Sequence, residues 1–241
     1  MGLGDGYQDG QRRTATLLIT FDEDAFERIV PLNPAWRVRD VIAHEVGVSE
    51  EALAGYVPDA EDPKRRPDEA RRRDEWTQAQ VVRRHDASVQ RMLEEWEVLA
   101  TNLTPLLNAP ALPVGFVPQV RTAPPLDVGC HLHDLRHALG QPGDRDAPTT
   151  RVAFAIARGW LNMRLDAAQL PALRLRAHDR EWVMGHGPAE ATLVADEFEL
   201  FRALTGRRSR HQVLAMEWDV DPQIYLEILS PYPFPDNDVA E

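Results

Sequence analysis

Apolar positions return irregularly between Thr14 and Val30, at Leu17, Leu18, Ile19, Phe21, Phe26, Ile29 and Val30, and predict a helix that Pro31 and Pro34 break. Residues 1–13 ahead of it are Gly-rich and polar and are expected to fray. Beyond the prolines, Asn33 or Trp36 leads into a segment where Val38, Val41, Ile42 and Val46 recur at helical spacing. The stretch Val57 to Glu75 has three prolines, dense mixed charge and almost nothing to bury. It predicts a surface loop or a helix start. Trp76, Val81, Val82, Val89, Met92, Leu93, Trp96, Leu99 and Leu103 then form one apolar stripe running to Leu107, which predicts a single long helix suited to a bundle. Asn108 to Pro125, with five prolines, predicts a loop crossing. Pro124 and Pro125 can open a helix, because a first-turn N–H has no intrahelical partner. That helix, Asp127 to Leu139, is stopped by Gly140 and Pro142.

The second half has a different pattern. Gln141 to Thr150 reads as a linker, and Val152 to Leu165 as a helix. ALRLRAHD, EWVMG and EATLVAD are short alternating runs, with turns supplied by Asp179, Gly185, Gly187 and Pro188. Glu197 to Leu204, Ser209 to Met216 and Pro222 to Leu229 predict short helices, and the Pro-rich segment after them an extended chain. The reading is a helical domain over residues 1–145 and a small mixed α/β domain over 150–230. No internal repeat is visible.

Charge narrows the function classes. The 241 residues hold 27 basic and 39 acidic side chains, a net charge of −12, which disfavours a chain that coats nucleic acid or an anionic membrane. Arg71, Arg72 and Arg73 are surrounded by acids and read as a solvated face. No apolar run approaches the ~20 residues that span a bilayer, and the first residues lack the layout of a signal peptide. Cys130 is the only cysteine, so no intrachain disulfide forms. A reducing, cytoplasmic setting is the expectation.

Candidate chemistry gathers near the fourth predicted helix. Asp127 and His131, four residues apart, stack on one helical face and can share an ion. On a helical wheel Val128, Leu132, Leu135 and Leu139 share the core-facing arc, which Asp127 and His131 border. His44 likewise borders the stripe of Val41 and Val48. His44, Asp127 and His131 together make a two-His, one-carboxylate set that leaves coordination positions open, as a catalytic metal requires. Asp127 near a helix start also answers the macrodipole, and His44 also reads as a core-edge histidine. A rival set is Cys130, His133 and His137, on the polar arc expected to face solvent. His85, His178, His186 and His211 show no ligand pairing and are expected at the surface or in turns. GHGP at 185–188 lacks the pattern of a phosphate loop, and no Gly-x-Ser-x-Gly elbow is present.

Taken in order, WRVRDVIAHEVGV, DEWTQAQVVRRHDASVQRMLEEW, DVGCHLHDLRHALGQP, FRALTGRRS and WDVDP resemble the mycothiol-dependent maleylpyruvate isomerase family of the DinB-like superfamily, over about residues 30–230. The resemblance implies a DinB-like four-helix bundle followed by a small α/β, sterol-carrier-like domain. It implies a divalent metal, typically zinc with nickel or iron as alternatives, held by His44, His131 and the residue at a glutamate position that here is Asp127, one methylene shorter. Mycothiol is the implied thiol cofactor, and an electrophilic small molecule the implied substrate. Arg207, or Arg208 beside it, is the implied catalytic contact for an anionic substrate. The two without a substrate read equally as helix-end arginines. Trp76 and Trp96 are expected to pack rather than touch substrate. The resemblance leaves monomer and homodimer open. A competing function is a binding or regulatory bundle that has lost the chemistry, to which Asp127 and a start too short for a full first helix both point. An open metal position discriminates the two. A purely structural interaction module would require a large exposed apolar patch.

Overall fold

The computed structural model describes residues 1–57 and 67–241. Its contacts divide the chain into two compact units, one running up to Ala153 and the other from Phe154 to Glu241. In chain order the first unit contains α1 (Leu3–Leu18), α2 (Glu23–Phe26), β1 (Ile29–Val30), β2 (Asn33–Arg37), α3 (Val38–Leu53), α4 (Pro67–Arg83), α5 (Val89–Asn108), a 3-10 turn at Pro118–Arg121 and α6 (Ala123–Leu139). It also takes in the start of α7 (Pro148–Ala168). Helix α1 packs against α5 and α6, and α3 packs against α4, α5 and α6. The bundle is therefore α1, α3, α5 and α6, with α4 flanking α3.

The N-terminal residues expected to fray form most of α1, a helix with Gly4, Gly6, Tyr7, Gly10 and Gln11 buried. The glycines are there for close approach, not for flexibility. A Cβ at Gly6 would lie 2.5 Å from Val152 Cγ2, and one at Gly10 2.6 Å from Thr149 Oγ1. Inside the bundle the Trp96 indole N–H donates to Tyr7 Oη at 2.9 Å. Tyr7 Oη lies 2.6 Å from Ser49 Oγ, which in turn donates to the Glu45 carbonyl. One buried phenol thus links α1, α3 and α5, and burial holds it protonated.

Two other predicted helices are divided. The Thr14 to Val30 segment ends α1 at Leu18 and turns through the short α2, capped by Asp22, whose Oδ1 accepts from the Ala25 N–H. It then enters a hairpin in which Ile29 pairs with Arg37 and Val30 with Asn33. Pro31 and Pro34 belong to that hairpin. The long helix expected from Trp76 breaks after Arg83 and restarts at Val89, where the Ser88 hydroxyl accepts from the Arg91 N–H at 3.2 Å. Arg84, in the break, bonds Glu50 and Glu95. Much of the loop expected over Val57 to Glu75 lies outside the described residues, and α4 begins at Pro67. Helix α6 matches its expectation: Pro124 and Pro125 lie in its first turn, and Gly140 caps it at φ 66° in the left-handed region. Helix α7 begins at Pro148, inside the expected linker.

The second unit continues α7 into β3 (Ala172–Ala177), β4 (Arg180–Met184), β5 (Ala189–Val194), α8 (Glu197–Leu204), α9 (Arg210–Ala215), β6 (Glu217–Trp218) and α10 (Gln223–Leu229). The sheet order is β4-β3-β5-β6, with β3 antiparallel to β4 and parallel to β5. The three alternating runs are thus strands, and the three short helices occur where predicted. His178, at φ 50°, turns β3 into β4. The segment after α10 has no regular element, and its Glu241 carboxylate pairs with the buried guanidinium groups of Arg202 and Arg208. Among the described residues no helix is long and apolar enough to cross a membrane.

Candidate metal centre

Helix α3 is fixed at its start by Asp40, whose Oδ2 accepts from both the backbone N–H and Nε of Arg37, each at 2.9 Å. With Val41, Ile42 and Val46 buried in the core, the helical period carries His44 on the second turn toward α6. On α6, Val128, Leu135 and Leu139 join the core as the wheel predicts, which puts Asp127 and His131 at its edge.

His44 and His131, both buried, meet the partly exposed Asp127. One donor atom from each of the three lies within 4.8 Å of the others. His44 Nε2 is 2.9 Å from Asp127 Oδ2, and His131 Nε2 is 3.6 Å from Asp127 Oδ1. The two imidazoles stand edge to face, 5.5 Å between centroids and 88° between planes. The shorter aspartate side chain thus reaches both rings, one through each oxygen.

The other nitrogen of each ring is also occupied. His44 Nδ1 is 2.7 Å from Gln80 Oε1 on α4, and His131 Nδ1 is 3.1 Å from Asp134 Oδ2 one turn along α6. The Asn33 amide donates to the same Asp134 oxygen at 3.3 Å. With the ring proton at Nδ1, where these acceptors can take it, each Nε2 lone pair would face the Asp127 side, the arrangement that histidine ligands require. A neutral imidazole carries one ring proton, so His44 can act as donor to only one of its two oxygen neighbours. A cation held by these donors would resolve that conflict. The donor set therefore fits a divalent metal of the zinc, nickel or iron type.

Negative charge is concentrated here. Glu45, next to His44, has both carboxylate oxygens buried without a hydrogen-bond partner among the described residues. Burial first, then Asp127 and Asp134, push its pKa well above the ordinary range. A cation at the adjacent donors would offset part of this. The β1–β2 hairpin packs on α6 and α3 and brings Trp36 over the imidazoles, 4.9 Å from the His44 centroid and 6.4 Å from that of His131. Trp76 stands edge-on to His44 at 6.2 Å. Asp127, at 26% exposure, is the ligand candidate open to solvent.

The rival set is not brought together. Cys130 and His133, expected on a solvent-facing arc, are buried, and His133 Nε2 bonds Thr150 Oγ1 at 2.8 Å. The wheel treated α6 as having one wet face, whereas Gly129 lets α7 close against it: a Cβ there would collide with Ala153. His85, His186 and His211 are exposed and His178 is in a turn, as expected. Trp96 is core, as expected, whereas Trp76 both packs on the core and faces His44.

In the second unit, Arg207 is buried. Its guanidinium donates to the Thr205 carbonyl at 2.6 Å and lies over the Tyr232 ring. Arg208 binds both oxygens of Glu199. Sequence reasoning missed Gln80, Asp134, Asn33 and the ring of Trp36 over the site. Asp134 had a usable signal, three residues beyond His131. Gln80 had none.

The sequence model of the mycothiol maleylpyruvate isomerase N-terminal domain matches residues 7–136, more than half of the chain. Two similar solved structures cover 91% of this chain and 93% of their own. One is the crystal structure of the mycothiol-dependent maleylpyruvate isomerase, at 15% identity and a TM-score of 0.56. The other is that of a histidine-to-alanine mutant of the enzyme, at 13% identity and a TM-score of 0.55. At that identity they establish the fold, a helical bundle followed by a small α/β domain, as expected. No curated protein sequence matches the chain.

Proposed function

We propose that this chain, which belongs to the mycothiol maleylpyruvate isomerase N-terminal domain family, is a metal-dependent enzyme that adds a low-molecular-weight thiol, mycothiol, to an electrophilic substrate. The observation that carries the reading is the convergence of His44, Asp127 and His131 donor atoms within 4.8 Å. When bound there, a divalent metal, zinc first, supplies a Lewis-acid centre that lowers the pKa of a thiol. The chain's own residues do the rest. Gln80 and Asp134 hold the ring protons at Nδ1 and so keep each Nε2 free to ligate. Trp36, tilted against both imidazoles, adds an apolar wall beside them. The partial exposure of Asp127 marks the side from which a thiol can approach.

Addition of the sulfur to an electrophilic carbon is the common first step of two outcomes. Rotation and expulsion of the thiol gives isomerisation; retention gives a thioether. Two observations support this reading over a bundle that has lost its chemistry. Helix α1 runs the full span Leu3–Leu18, and the Asp127 oxygens reach both imidazoles.

The test is titration of the cobalt-substituted protein with mycothiol and with its S-methyl derivative. A saturable thiolate-to-cobalt charge-transfer band with mycothiol alone is expected. A protein holding one cobalt per chain that shows no such band overturns the thiol role. The role with an anionic substrate expected of Arg207 is tested separately: Arg207→Gln should raise KM at unchanged metal content, and an unchanged KM contradicts it.

A further inference from the structure

Gln80 is fully buried, yet its Nε2 has no hydrogen-bond partner among the described residues. A buried amide left half satisfied is unfavourable, and an apolar side chain of similar shape would fill the same space without that penalty. What Gln80 offers in return is its Oε1, 2.7 Å from His44 Nδ1. To reach that nitrogen from α4 the side chain must cross α3, and it crosses at Gly47, one turn beyond His44. A Cβ at position 47 would lie 2.5 Å from Gln80 Cγ, 2.6 Å from Cβ and 2.9 Å from Cδ. Those are the root and middle of the glutamine side chain, so a methyl group there would have to push the whole side chain aside. His131 needs no such arrangement, because its Nδ1 partner Asp134 lies on its own helix.

We infer that Gly47 and Gln80 form a positioning pair that holds the His44 ring with its proton on Nδ1 and its Nε2 facing Asp127 and His131. Gln80 supplies the acceptor and Gly47 the passage to it, and neither touches the metal position itself. The inference rests on the reading of His44, Asp127 and His131 as metal ligands. It makes Gly47→Ala, which changes no candidate ligand and favours the helix on propensity alone, a metal-binding variant.

The experiment compares zinc affinity, by chelator competition, in the parent, Gln80→Leu, Gln80→Glu, Gly47→Ala, the Gly47→Ala/Gln80→Leu double variant and His44→Ala. Heteronuclear NMR of the metal-free proteins reads the His44 tautomer independently of any metal. Gln80→Leu is expected to weaken zinc binding by about 10- to 100-fold, with thermal stability held or raised, and to lose the Nδ1-protonated His44 signal. Gln80→Glu restores both the affinity and the signal. Gly47→Ala matches Gln80→Leu, and the double variant is no weaker than either single one, because both remove the same contact. Parent-like affinity in Gln80→Leu, where His44→Ala abolishes binding, overturns the pair while leaving the metal reading intact. Losses that add in the double variant overturn it as well. A parent that binds no zinc overturns the metal reading and the pair together.

Discussion

His44 Nε2 and Asp127 Oδ2 stand 2.9 Å apart, although 83 residues separate them in the chain. The pairing joins the second turn of α3 to the second turn of α6. It depends on charge as well as reach, since Asp127 is the one carboxylate in the candidate set of three. Asp127→Asn keeps the oxygen and removes the charge. Its zinc affinity should fall by more than the roughly 10- to 100-fold that outer partners contribute, whereas Asp127→Glu should retain zinc. Chelator competition reads both, and an unchanged Asp127→Asn contradicts the assignment.

Glu45 gives the metal-free protein a pH dependence of definite sign. Burial, with Asp127 and Asp134 near, raises its pKa well above the ordinary value of 4.5, so the folded chain binds this proton more tightly than the unfolded chain. The stability it contributes is complete below the unfolded value and is lost as pH rises toward the folded one. Urea midpoints of the chelator-treated parent should therefore fall with rising pH above 4.5, and those of Glu45→Gln should stay flatter. Equal slopes would contradict the burial argument.

Tyr7 Oη accepts from the Trp96 indole inside the bundle. Tyr7→Phe leaves that buried N–H without its acceptor and should destabilise the first unit by about 1–3 kcal/mol, read by urea unfolding. Zinc content should not change, because Tyr7 is no part of the candidate donor set.

In the second unit Arg202 is fully buried and pairs with Glu241 through both Nε and Nη2. Removing this carboxylate takes a charged partner from two nitrogens of a buried guanidinium. Glu241→Ala should destabilise the protein by about 3–5 kcal/mol, measured by urea unfolding, and a loss below about 1 kcal/mol, the range of surface pairs, would contradict it.

Helix α6 was legible in the sequence because its signals agree: prolines in the first turn, a 3.6-residue apolar period and Gly140 after it. The same period placed Asp127 and His131 on one face and His44 at the edge of its own apolar stripe, which was enough to group the three, and the ordered resemblance implied the same set. Other parts gave misleading signals. Gly4, Gly6 and Gly10 read as flexibility, while the structure uses their missing Cβ atoms for close packing. The apolar stripe keeps its phase from Val81 to Val89, so periodicity did not mark the break between α4 and α5, although Ser88 was available as a cap. The two-residue β1 is too short to show alternation, which hid the hairpin and the placement of Trp36. Gln80 meets His44 across two separate helices, a contact with no spacing signature at all.

The central claim is that His44, Asp127 and His131 hold one divalent metal. Elemental analysis of the purified parent beside His44→Ala and His131→Ala, under equal metal supply, tests it most directly. One metal ion per chain in the parent, lost in both variants, is the predicted result. Metal absent from all three proteins, or retained unchanged in both variants, would contradict it.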